Sequence, residues 1–233
     1  MHDVGIRQGA VDRVIARRGR LHLFDHLEPS RTAFVVIDMQ NTFLKPGAPV
    51  EVPRGRDIVP NINRLAAALR RLGVSVIWMT HANSSVNGAS DWSNFFDHFV
   101  ADDVRRRTIE GLEPGADGQQ IWPDLIVEPG DVRMFKNRYS ALISGSSSLE
   151  RLLRSQGLDT LLIAGTKTNV CCEATGRDAM MLDFRVVMVS DCLGALSDDE
   201  HRASLETFIQ QFGDVMTSNE VLAVLRQRTN TAE

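Results

Sequence analysis

Residues 159–180 read DTLLIAGTKTNVCCEATGRDAM. Thr160 to Ala164 is a short apolar run rich in β-formers that halts at Gly165, and from Cys171 onward the residues favour helix. The pattern predicts strand, tight turn, helix. Cys171 then stands at the mouth of a helix, where free backbone N–H groups and the positive end of the peptide dipole favour a thiolate over a thiol. The same N–H groups can hold the oxyanion that forms when a thiolate attacks a carbonyl. Taken alone, a cysteine in an apolar turn is more often an inert small hydrophobe. Its meaning depends on what other strand ends place beside it.

Two other runs end in charge. Residues 33–40, AFVVIDMQ, are apolar up to Asp38, and residues 131–140, DVRMFKNRYS, form a shorter run that ends at Lys136. A carboxylate at a buried strand end costs several kcal/mol of desolvation unless it is paired, so structure alone rarely selects it. Beside a lysine and a thiol it has a use: the carboxylate takes the thiol proton, and the cation steadies the charges. Singly, Asp38 reads as a turn cap and Lys136 as a solvated edge residue. Together with Cys171 they read as a site.

Working outward, strands are expected at 33–38, 74–79, 131–135, 160–164 and 185–190, with a weaker one at 214–217. Helices are expected at 57–72, ended by Gly73, near 147–156, from Cys171 to about 182, from Asp198, and at the end of the chain to about residue 227. Alternation of this kind implies a parallel sheet covered on both faces, an α/β fold of roughly six strands wound in both directions. Such sheets bind ligands beyond the carboxyl ends of their strands. Asp38, Lys136 and Cys171 all fall at such ends.

The three motifs VVIDMQN around Asp38, FKNRYSAL around Lys136 and GTKTNVCCEAT around Cys171 resemble those of the isochorismatase-like cysteine hydrolases, a group that includes nicotinamidases, N-carbamoylsarcosine amidases and ureidoacrylate amidohydrolases. The resemblance runs from about Thr32 to the C-terminal region. It implies a three-layer αβα sandwich and a catalytic triad of Asp38, Lys136 and Cys171. It also implies a non-proline cis peptide between Thr166 and Lys167, which would aim the Lys167 N–H, with that of Cys171, at the oxyanion. The implied activity is hydrolysis of a small amide, carbamoyl or ureido compound. Asn41, His81, Asn83 and Tyr139 are the expected substrate contacts.

Two alternatives stay open on the same fold. Isochorismate-type cleavage of a vinyl ether does not require the cysteine, and the adjacent Cys171 and Cys172 leave room for a thiol sensor or a catalytically idle relative. Cys172 reads as packing, because an adjacent-cysteine disulfide is strained.

The remaining sequence sets boundaries. A chain of 233 residues with 43% hydrophobic content is long enough for one sizeable core. A formal charge of −4 argues against a nucleic-acid surface, and no segment approaches the roughly 18 uninterrupted apolar residues of a membrane span. Three cysteines offer neither a disulfide framework nor metal spacing, which suits a reducing cytoplasm. No metal is expected, since the Asp-x-His sequence that holds one in some nicotinamidases is missing after the second strand. No nucleotide cofactor is expected either: no GxGxxG follows a strand, and Gly165-Thr166-Lys167-Thr168 lacks the spacing of a phosphate loop. The expected partners are a small-molecule amide or ureide and further copies of the chain, as dimer or tetramer.

Residues 1–30 read as an N-terminal arm with a short amphipathic helix, and 31–233 as one hydrolase domain. The arm can pack on its own domain or reach across a subunit interface. Residues 80–130 lack clean periodicity and read as an insertion of the lid or binding-loop kind. Within it Trp92, Phe95 and Phe96 form either a cavity wall or the buried face of a lid helix.

Overall fold

The structure, a computed structural model, describes residues 2–86 and 89–226. Six strands form one all-parallel sheet: β1 (Thr32–Ile37), β2 (Ser75–His81), β5 (Val132–Lys136), β6 (Thr160–Thr166), β7 (Arg185–Gly194) and β8 (Asp214–Met216). A separate two-stranded hairpin of β3 (Ser85–Val86) and β4 (Ala89–Ser90) lies between β2 and β5 in the chain. The order across the large sheet is β5-β2-β1-β6-β7-β8. The chain therefore moves outward from β1 through β2 to β5, then returns to the other side of β1 and continues through β6, β7 and β8. The direction reverses between β1 and β6, and that gap is where a doubly wound sheet leaves a crevice.

Side-chain alternation along the strands builds two cores. Phe34, Val36, Val76, Trp78, Leu162, Ala164, Val187 and Val189 face α3 (Val59–Arg71) and α9 (Ser218–Arg226). Their neighbours Ala33, Val35, Ile77, Met79, Leu161, Ile163, Val186 and Met188 face α6 (Leu149–Ser155), α7 (Glu173–Met181) and α8 (Asp198–Gln211). Both faces are dry, which is why these strands are apolar without interruption. The result is the three-layer αβα sandwich. Residue 227, where the last helix was expected to end, lies outside the described residues.

Two expectations need adjustment. The segment from 80 to 130 is more regular than its sequence suggests: it holds the hairpin, α4 (Ser93–His98) and α5 (Asp102–Leu112). α5 presents the buried Thr108, Ile109 and Leu112 to the domain. These helices are too short and too interrupted to register as a period. The fifth strand also runs four residues past Ser190, to Gly194.

The N-terminal arm lies on its own chain. α1 (Gln8–Arg18) buries Ala10 and Val14, and Arg7 just before it pairs with Glu206 of α8 through Nε at 2.8 Å and Nη2 at 2.5 Å. Further along the arm, His22 Nδ1 meets Asp214 Oδ1 at 3.0 Å. No helix among the described residues is long and apolar enough to cross a membrane.

Candidate active site

The ends of β1, β5 and β6 converge at the reversal of strand order. Asp38 follows β1 with φ of 54°, a left-handed conformation that Asp tolerates better than most residues. Gly165, at φ 111°, lets β6 close onto β1, since a Cβ there would fall 2.0 Å from the Ile37 carbonyl oxygen. Thr166 Oγ1 then donates to the Asp38 carbonyl at 3.0 Å. The Thr166–Lys167 peptide is cis, at the place that the motif implies. Cys171 sits in a π-helical turn, Thr168–Cys172, that leads into α7.

Lys136 is 1% exposed, as is Asp38. Its ammonium donates to Asp38 Oδ2 at 2.8 Å, to the Arg138 carbonyl at 3.0 Å and to His81 Nδ1 at 3.2 Å. All three protons are used, so this cation anchors the site. Burial alone would lower its proton affinity, but the Asp38 charge and the hydrogen bond to it outweigh that and raise it. Burial raises the Asp38 carboxyl above the usual range, against the pull of Lys136 and the Cys171 thiol. Asp38 Oδ1 accepts no hydrogen bond of ordinary geometry from the described residues; besides Lys136, the Cys171 thiol interacts with the carboxyl.

The resting cysteine is a thiol. Burial, then the adjacent Asp38 charge, push its pKa up to about 12, with Lys136 acting the other way. The turn's N–H groups favour a thiolate, but the residue is 5% exposed and faces a carboxylate, and those two effects win. Cys172 is fully buried, its sulfur 3.8 Å from the Ala164 carbonyl oxygen, as a packing residue would be.

His81 is neutral, since burial and then Lys136 hold its pKa well below the ordinary value. With Nδ1 accepting from Lys136, Nε2 donates to Asn83 Oδ1 at 2.8 Å, and Asn83 Nδ2 donates to Asp91 Oδ1 at 2.7 Å. Gln40, which sequence reading passed over, grips the His81 backbone from both sides: its Oε1 accepts the N–H at 2.6 Å and its Nε2 donates to the carbonyl at 3.0 Å. A buried amide two residues past Asp38, inside the quoted motif, was the available signal.

The site opens into a cavity of about 350 Å³, at the small end of ligand-binding cavities. Asp38, Cys171, His81 and Tyr139 line it, together with Phe43, Val50, Trp92, Phe95, Val170 and Leu196. Trp92 stacks over His81 with ring centroids 6.0 Å apart, and Tyr139 meets Trp92 edge-on at 4.8 Å. Phe96 is buried and also lines the cavity, so the aromatic residues are at once the face of α4 and the wall. Tyr139 is positioned through its loop: the Ala141 N–H donates to Thr175 Oγ1 at 3.1 Å, and that hydroxyl donates to the Cys171 carbonyl at 2.7 Å. Two of the expected contacts stand elsewhere. Asn83 lies behind His81, and Asn41 turns away to donate to the Asp117 carbonyl at 3.0 Å.

A family model described as the isochorismatase domain matches residues 32–220. The chain belongs to the isochorismatase family. Among solved structures, a cysteine hydrolase from Pseudomonas syringae pv. phaseolicola is similar with 31% identity and a TM-score of 0.74, over 84% of this chain and 92% of that one. A protein from Arabidopsis thaliana named as a probable inactive nicotinamidase is 32% identical over 176 residues, 75% of this chain and 86% of its own length. N-carbamoylsarcosine amidase from Thermoplasma acidophilum shares the fold, with a TM-score of 0.66, 22% identity, and coverage of 81% of this chain and 97% of that one. This chain is an isochorismatase-like α/β hydrolase by family, and the Asp, Lys and Cys of its three motifs meet in one crevice.

Proposed function

We propose that this chain is a cysteine-dependent amidohydrolase that cleaves the C–N bond of a small amide, carbamoyl or ureido compound through a thioester. The observation that carries this reading is the buried Asp38–Lys136 pair at 2.8 Å with the Cys171 thiol against the same carboxylate, Asp38 and Cys171 both lining one cavity. With the thiol pKa at about 12, free thiolate is negligible at neutral pH, so the proton passes to Asp38 as sulfur attacks the carbonyl carbon. The N–H groups of Lys167 and Cys171 hold the resulting oxyanion. Asp38 then returns the proton to the leaving nitrogen and ammonia or an amine departs. Water, deprotonated by the same carboxylate, releases the acid from the thioester and restores the thiol. Lys136 keeps its charge throughout and limits the cost of each charged state of its neighbours. Tyr139 and His81 line the substrate's path.

The test is ammonia release from nicotinamide, N-carbamoyl amino acids, biuret and ureidoacrylate by the wild type and by Cys171→Ala. Turnover of at least one amide, lost by roughly 10⁴-fold or more in the variant, is the expected result. Turnover that survives the substitution would rule out the thioester, and silence across the panel, with cleavage of isochorismate, would point to vinyl ether chemistry.

A further inference from the structure

The charges around the cavity do not cancel. Asp38 is answered by Lys136. Glu51, on the loop after α2 (Asn41–Leu44), has both carboxylate oxygens engaged: Oε2 accepts the Gly47 N–H at 2.8 Å and Oε1 accepts Arg56 Nη1 at 2.8 Å. Those two donors, Gly47 first, hold it below its ordinary value, so it stays ionised and paired. His81 is neutral. Lys167 also lines the cavity, half-buried, and among the described residues no carboxylate forms an ion pair with it. Its charge is nevertheless felt at Cys171, where it works against the burial that holds the thiol protonated. The rest of the wall is largely aromatic and aliphatic. A cation left without a counter-ion beside an apolar cavity attracts an anion more strongly than it would in open water.

We infer that the Lys167 side chain is a carboxylate-binding subsite, so that this chain selects small amides bearing a carboxylate at the end remote from the scissile C–N bond. This rests on the amidohydrolase reading above. The acyl carbon sits at Cys171, the apolar body lies along Trp92 and Tyr139, and the far carboxylate meets the ammonium. Lys167 thereby serves twice, its backbone N–H at the oxyanion and its side chain at the substrate's other end. The competing role for the side chain is to ease ionisation of Cys171 alone, which would help charged and neutral amides equally.

Binding without turnover separates these roles. In calorimetry on the Cys171→Ala protein, succinamate is expected to bind roughly tenfold or more tighter than the neutral succinamide, with a preference that shrinks as salt rises. Adding Lys167→Met or Lys167→Gln should erase that preference, and Lys167→Arg should keep it within roughly threefold. Equal binding of the two amides, a preference that persists in both neutral variants, or no binding of either would overturn the subsite. Because the readout is affinity, it stands whether or not the wild type releases ammonia from these compounds, and failure of the amidase reading is seen separately in the turnover panel.

Discussion

Two buried histidines flank the turn that carries Cys171, and they make different sites from the same physics. His81, the last residue of β2, and His201, on α8, are both held neutral, His81 by burial and then Lys136, His201 by burial and then His2, which push His201 down to about 3. Around His81 there is a charged pair and open volume. Around His201 there is packing: Nδ1 lies 2.9 Å from Thr168 Oγ1, His2 stacks on the ring with centroids 4.2 Å apart, and His2 in turn accepts the Ala195 N–H at 2.9 Å and meets Asp198 Oδ1 at 2.7 Å. Burial alone neutralises a histidine. What distinguishes a site for chemistry is a retained charge beside a space that a substrate can enter.

Breaking the charged side should have the largest effect on the fold. Lys136→Met leaves the Asp38 carboxylate buried without its cation, and urea unfolding should report a loss of about 3–5 kcal/mol. Adding Asp38→Asn should recover most of it, since the orphaned charge is then gone. A single variant as stable as wild type would show that the pair is far more hydrated than its burial implies.

The neutral side should fail with acid instead. His201 is uncharged in the folded protein down to about pH 3, whereas unfolded it takes a proton near 6.5. Below 6.5 the unfolded state binds more protons, so stability is lost as pH falls toward 3, with a slope approaching about 1.4 kcal/mol per pH unit from this group. Denaturation at stepped pH should reveal that slope in wild type and a shallower one in His201→Asn. Identical slopes would remove His201 from the acid response.

The stacking partners sharpen the contrast with smaller changes. His2→Ala should cost about 0.5–1.5 kcal/mol of stability with little change in KM. Trp92→Leu, on the cavity side, should raise KM several-fold, on the order of 1 kcal/mol of lost apolar contact, with a smaller change in Tm. If the two variants shifted the same quantity, the separation of a scaffold face from a substrate face would be mistaken.

Much of this was legible in the chain, and the misses share a cause. Strand ends, the apolar runs and the residue types at positions 38, 136 and 171 are local features, and local periodicity carries them. Gln40 and Asn83 were missed or misassigned because their work is done across strands: one clamps the His81 backbone and the other stands behind its ring. How far the thiol's pKa is raised was not legible: the helix entrance and the Asp38 partner can be read in sequence, whereas the loss of water around the sulfur, the largest cause, belongs to the assembled site.

The sequence by itself determined the αβ alternation, the three motif residues and the family to which they belong, because side-chain period and residue chemistry are written along the chain. Only the tertiary structure decided the order β5-β2-β1-β6-β7-β8, the reversal that brings Asp38 to Cys171, the place of Trp92 and Tyr139 in the cavity wall, and the charge of Lys167, which no carboxylate pairs among the described residues. Those depend on which distant segments share a space and exclude water from it, and electrostatics in such a space is a property of the assembled surroundings, not of any one stretch.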